Sequence, residues 1–244
     1  MLQTKTKIDY ARLYADFDAP IHLFDCGKKC APHNSGGKPF CCDTCHAVPT
    51  LYNTEWQYLE VSTDLWHEFR GDECEGIGED EAEAERARLG EELADNMVLA
   101  ACLGPDKCQR DYRGLTCRQF PFFPYIDLQG EFLGLSYYWE FEDTCWVISN
   151  LDVVEADYRR QFIESFEGIF AEMPEEHEAY KVHSEVMRDK FNEQRRAIPL
   201  LHRNGNTYKI STHNERLRRV DVESLPKYGP YKVAAEMPFP DEVR

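Results

Sequence analysis

Ten cysteines in 244 residues are the groups with the most chemistry to offer, and eight of them fall in two stretches. The first, FDCGKKCAPHNSGGKPFCCDTCH, holds Cys26, Cys30, Cys41, Cys42 and Cys45. The second, CLGPDKCQRDYRGLTCRQFPFFP, holds Cys102, Cys108 and Cys117. Irregular spacing suits no single helix or strand face, and glycines and prolines interrupt both stretches, so they read as ligand-bearing loops. A thiolate is a soft ligand for zinc, copper(I) or an iron–sulfur cluster. Eight thiols would supply one cluster with ligands to spare, two four-thiolate sites, or a polynuclear site. Cys42 and Cys45 form a Cys-x2-Cys knuckle that no second knuckle follows, which disfavours a zinc ribbon, and the closely spaced runs of ferredoxins are missing. The side chains of adjacent Cys41 and Cys42 are expected to point in different directions, serving different sites or leaving one to pack. Cys74 reads as a peripheral thiol. Cys145, beside Trp146, reads as a core thiol, with a ligand role as the alternative.

Disulfides are the other use for so many thiols. A chain with 42% hydrophobic and 13% aromatic residues can bury a core without such staples. The first twenty residues carry no continuous apolar stretch or small-residue cleavage site, and no later run reaches the length of a membrane span. The expectation is therefore a cytoplasmic protein with no membrane partner, in whose reducing surroundings clustered cysteines serve as metal or redox groups.

A net charge of −17 argues against nucleic acid, whose phosphates require clustered Lys and Arg. The basic residues Lys209, Arg216, Arg218 and Arg219 are interleaved with Glu215, Asp221 and Glu223 and read as a solvated surface. Residues 71–95 are strongly acidic, but they lack the EF-hand pattern of a calcium loop. They read as an exposed loop followed by a helix running towards Met97, and their acidic face would suit a basic protein partner.

The elements that must position the cysteines are partly visible. A short helix is expected over residues 8–17 and another from Asn53 or Thr54 through Leu65-Trp66, packed over the cysteines. Asp127 to Phe132 suggests a strand–turn–strand unit. Tyr158, Phe162, Phe166 and Phe170, four apart, predict an amphipathic helix, and Pro174 opens a second one with early glutamates and late arginines. His67, His177 and His183 read as surface residues, and a strand is expected around Tyr208 to Ile210. The fold expected is α+β and mostly helical: a loop-rich cysteine-cluster core over residues 1–150, with a helical hairpin and C-terminal extension over 151–244 packed against it as one unit.

The combination Cys26-x3-Cys30, the Cys41-Cys42 doublet, then Cys102-x5-Cys108-x8-Cys117 followed by Arg118 and Phe120-Pro121-Phe122 resembles the CxxCxxCC zinc- or iron-chelating family of YkgJ-like cysteine-cluster proteins. The likeness spans residues 24 to 124. Two features depart from it: ten residues separate Cys30 from Cys41, and Gly114 follows Arg113 where the family has proline, which is expected to loosen the turn before Cys117. The resemblance implies a metal-chelating protein with an iron–sulfur cluster, or zinc as the second choice, in a redox, metal-handling or structural role. Arg118 is then expected to donate hydrogen bonds to the sulfurs, with Arg113 the weaker candidate, and Phe120 to Phe123 to form a dry wall. Some relatives are flagellin lysine-N-methylases, which makes cluster-dependent methyl transfer to protein an alternative. No glycine-rich strand-to-helix loop for a nucleotide cofactor is present to favour it. An acidic interaction module held together by a structural zinc is a further alternative.

Overall fold

The stripe Tyr158, Phe162, Phe166 and Phe170 forms one face of helix α6 (Ala156–Glu172), which together with α7 (Pro174–Glu193) makes the expected helical hairpin. The first three of those rings are 0–1% exposed, so the spacing of four places them all in the core. The computed structural model describes residues 8–44, 46–73, 78–91 and 93–232. Before the hairpin come α1 (Tyr10–Asp16), α2 (Gly27–Cys30), β1 (Thr50–Tyr52), α3 (Asn53–Ser62), β2 (Trp66–Glu68), α4 (Glu79–Glu91), β3 (Met97–Cys102), α5 (Leu115–Gln119), β4 (Phe122–Ile126) and β5 (Phe132–Tyr137). After it come β6 (Ile198–His202), β7 (Thr207–Ile210) and β8 (Leu217–Arg219).

Among the described residues eight strands form two antiparallel sheets, one of three strands in the order β1-β3-β2 and one of five in the order β4 to β8. The chain is therefore α+β, and the expectation of a mostly helical fold is corrected. Sheets organise both halves of the molecule, and the helices pack onto them. The strands are three to six residues long, and three of them have only three residues, too few to display a period-two pattern. The acidic helix expected to run towards Met97 is α4, and the segment MVLAAC beyond it is β3, the central strand of the small sheet. Pro124 sits in β4, an edge strand, where a missing N–H leaves no gap in the middle of a ladder.

The five-stranded sheet draws β4 and β5 from the first 150 residues and β6 to β8 from the rest, so the two expected parts share one sheet. Helices α6 and α7 pack on each other and on this sheet. A hydrophobic cluster running from Phe17 to Leu225 fills the space between them. The small sheet has its own cluster, built from Tyr10, Tyr14, Leu51, Leu59, Leu65, Trp66 and Ala100. At Gly134, φ is 148° and an added Cβ would lie 2.3 Å from the Leu201 carbonyl oxygen, so β5 and β6 approach each other only because this residue lacks a side chain.

Two residues assigned to the surface are elsewhere. His183 is half-buried, its ring 4.4 Å from that of Phe123 and stacked 5.1 Å from Trp139. Glu215 is buried with Arg188, the two 3.0 Å apart with side chains 7% and 5% exposed. Among the described residues no helix is long and apolar enough to cross a membrane.

Candidate metal centre

Each described cysteine of the two loops is held by backbone geometry that its neighbours dictate. Cys26 caps α2 and Cys30 ends it. The helix lies so close to Pro39 that a Cβ at Gly27 would come within 2.7 Å of the proline ring, which brings the start and end of the loop together. Asn34 closes the loop, donating from Nδ2 to the Lys38 carbonyl at 3.0 Å and to Asp43 Oδ2 at 2.9 Å. The glycine-rich loop thus has hydrogen bonds of its own. Cys41 and Cys42 lie on a short 3-10 turn, Phe40–Cys42, that sets their sulfurs 3.9 Å apart. Their expected divergence is corrected: the tight turn keeps neighbouring side chains close.

The second loop is tied to the small sheet. Trp66 donates its indole N–H to the Tyr112 carbonyl at 2.8 Å, and Gln109 bonds Thr63 and Asp64 at 2.8 and 2.9 Å. Cys102 is the last residue of β3, Cys108 follows a 3-10 turn, and Cys117 lies in α5. Helix α5 starts where the Leu115 N–H donates to Glu55 at 2.6 Å. Glu55 is 1% exposed in the first turn of α3 and also accepts from the Tyr14 hydroxyl at 2.5 Å. Gly114 was expected to loosen this turn. Instead Leu51 fills the space beside it, 2.4 Å from where a Cβ would stand, and the Cys117 N–H donates to the Gly114 carbonyl at 3.0 Å. Helix α3 shares an apolar cluster with two of the cysteines, its Leu59 and Trp56 packing in the same group as Cys102 and Cys117, and Glu55 ties it to the start of α5.

These loops meet at one cavity of about 210 Å³. Cys26, Cys30, Cys41 and Cys42 line it from the first loop, and Cys102, Cys108 and Cys117 from the second. Cys145, read as a core thiol, lines it too. Its backbone is fixed by the bond from its own N–H to the Phe141 carbonyl at 2.8 Å, and the adjacent Thr144 carbonyl accepts from the Tyr231 hydroxyl at 2.7 Å. All eight are free thiols. Cys45 and Cys74 lie outside the described residues. Phe120 and Pro121 form part of the apolar wall as expected, whereas Phe122 and Phe123 belong to β4 and point into the core at 0% exposure.

Burial pushes the Cys26 thiol up to about 12 and raises Cys30, Cys102, Cys117 and Cys145 as well, and neighbouring thiols add to each shift. Cys42 moves the other way, because the Cys41 thiol hydrogen-bonds to it and the Arg113 guanidinium lies near. Thiols packed this way cannot ionise together unless a cation joins them.

Arg113 supplies the positive charge that was assigned to Arg118. Its Nε donates to Cys108 Sγ at 3.4 Å, and it lines the cavity together with Arg110. Burial works against its charge, but the bond to Cys108 and the nearby Cys117 and Cys42 outweigh that and raise its pKa. Arg118 points away from the sulfurs. Its guanidinium donates to the carbonyls of Arg113, Tyr14, Phe17, Arg110 and Asp111 and lies 4.4 Å from the centre of the Tyr14 ring. It fastens α1 to the second loop. A signal for Arg113 was present in the sequence, which places it midway between Cys108 and Cys117, but its orientation depends on tertiary contacts.

No protein-family model, curated protein or solved structure matches the chain.

Among the described residues, no group of three or more His, Cys, Asp or Glu is placed so as to hold a metal ion. Around a single zinc, with Zn–S near 2.3 Å, tetrahedral sulfurs stand about 3.8 Å apart. The Cys41–Cys42 pair, at 3.9 Å, matches one such edge. The other thiols surround the cavity instead of closing on a point.

Proposed function

We infer that the protein chelates metal through its cysteine-lined cavity and that the group it holds is an iron–sulfur cluster. The observation that carries this reading is the convergence of eight free cysteines, distant in sequence, on one cavity of about 210 Å³. The donor set is all thiol, which suits soft metals and clusters. The cysteines enclose a volume, and an iron–sulfur cluster would bring inorganic sulfide of its own to fill it, with the thiolates holding its irons. Arg113 and the wall of Phe120, Pro121 and Trp146 supply the hydrogen bonding and dryness that set the properties of such a centre. When bound, the cluster would supply one-electron chemistry or a rigid cross-link between the two loops. The chain's own part is to hold the thiols in place and offset their charge. The likeness in cysteine spacing to the zinc- or iron-chelating YkgJ-like family agrees with this reading.

Absorption spectra of protein purified without oxygen test it. The wild type is expected to show visible sulfur-to-iron absorption, and Cys117→Ser is expected to lose much of it. A colourless wild type carrying stoichiometric zinc would replace the cluster with a structural zinc.

A further inference from the structure

A second cavity, of about 600 Å³, lies between the first three turns of α6 and the turn that joins β6 to β7. It shares no lining residue with the cysteine cavity. Three arginines line it, Arg159, Arg160 and Arg203, and two of them are neutralised by carboxylates. Arg160 donates to Glu164 at 2.9 Å and to Asp157 at 3.4 Å, and Arg203 pairs with Glu167. Burial lowers the pKa of His202, at the end of β6, so it adds no charge at pH 7. Arg159 is different. It is half-buried, its Nε is buried without a hydrogen-bond partner, and among the described residues no carboxylate pairs with its guanidinium. A guanidinium keeps its charge at any ordinary pH, and withdrawing it from water without a counter-ion is unfavourable.

We propose that this cavity binds a small organic carboxylate, with Arg159 as its counter-ion. The class of ligand follows from the charges. One uncompensated guanidinium matches one negative charge, and its fork of N–H donors fits the two oxygens of a carboxylate. Glu164 and Glu167 alongside disfavour the second charge of a phosphate monoester. Val154 and Ile163, 5% and 9% exposed, give the cavity an apolar part that suits a carbon skeleton better than a bare inorganic ion. Its volume falls within the range of about 300–1,000 Å³ that small-molecule sites occupy. Ala156, which also lines it, stands in the first turn of α6, where no side chain caps the helix and the backbone adds to the positive potential. The site is independent of the metal-chelating reading and stands or falls without it.

Titrating the full chain with hexanoate and with benzoate, while following its amide and arginine Nε–H NMR signals, tests the proposal. In the wild type at least one of the two is expected to cause saturable shifts at the Arg159 Nε–H and at the amides of Ala156 and Gly205. Arg159→Gln is expected to weaken that binding by about tenfold or more, the effect of losing a charge-assisted hydrogen bond. Shifts that do not saturate with either compound, or that fall elsewhere on the chain, would overturn the proposal, and this result does not depend on any variant folding. Equal binding by a folded Arg159→Gln would overturn it as well. Inorganic phosphate binding at the same residues more tightly than either carboxylate would overturn the assignment of the ligand class.

Discussion

Arg113 donates its Nε–H to the sulfur of Cys108 at 3.4 Å. Five residues further on, Arg118 gives its whole guanidinium to backbone carbonyls. The two arginines therefore separate binding from folding. Arg113→Met should leave the fold intact and weaken metal retention by about 10- to 100-fold, the usual cost of losing a group that bonds a metal ligand. Arg118→Met should lower stability by about 2–4 kcal/mol, because several buried carbonyls lose their donor, while the folded fraction keeps its metal. Chelator challenge and urea unfolding of both variants check the contrast, and equal metal loss in both would contradict it.

Glu55 joins three elements through its carboxylate, accepting from Tyr14, Leu115 and, at 3.4 Å, the Tyr52 N–H. In Glu55→Gln the amide nitrogen must face a donor. The expected loss is about 2–3 kcal/mol, with faster alkylation of Cys117 as the start of α5 loosens. Urea unfolding and mass mapping of modified cysteines measure both effects. Unchanged Cys117 protection would show that α5 does not depend on this carboxylate.

Burial lowers the His183 pKa from an ordinary 6.5 to about 4, and Nε2 has no hydrogen-bond partner. The unfolded chain takes up a proton below pH 6.5, whereas the folded chain does so only near pH 4. Stability therefore falls as pH drops through that window, by about 2 kcal/mol between pH 7 and pH 5. In His183→Phe, which keeps a ring against Phe123 and Trp139, this part of the acid sensitivity should vanish. Denaturant midpoints at the two pH values test it, and an equal pH slope in both proteins would exclude the histidine as its source.

The Arg188–Glu215 pair is buried, and Glu215 also accepts from the Leu128 N–H at 2.8 Å with its own φ at 51°. Removing one partner leaves an uncompensated buried charge, so Glu215→Ala should cost about 3–5 kcal/mol. Replacing both partners with apolar residues should recover part of that loss. A double-mutant cycle in urea measures the difference, and additive single losses would show that the pair is not coupled.

The amphipathic helix α6 and the thiol character of both loops were legible because each is a local property, a spacing of four or a residue type. Strands β1, β3 and β6 were not. β1 has three residues, β3 has two alanines among its six and β6 contains Pro199, and all three are strands because distant segments pair with them. That the two cysteine groups form one site was expected from the sequence, but that Cys145 joins them was left open. Cys145 reaches the cavity from beyond β5, and the exchange of roles between Arg113 and Arg118 follows from where α1 places its carbonyls.

Iron and acid-labile sulfide measured per chain, in protein isolated without oxygen, test the central claim most directly. Both should be present in equal, stoichiometric amounts, with the cysteines of the cavity protected from alkylation until the chain is denatured. A folded, metal-free chain with eight readily alkylated thiols would contradict it.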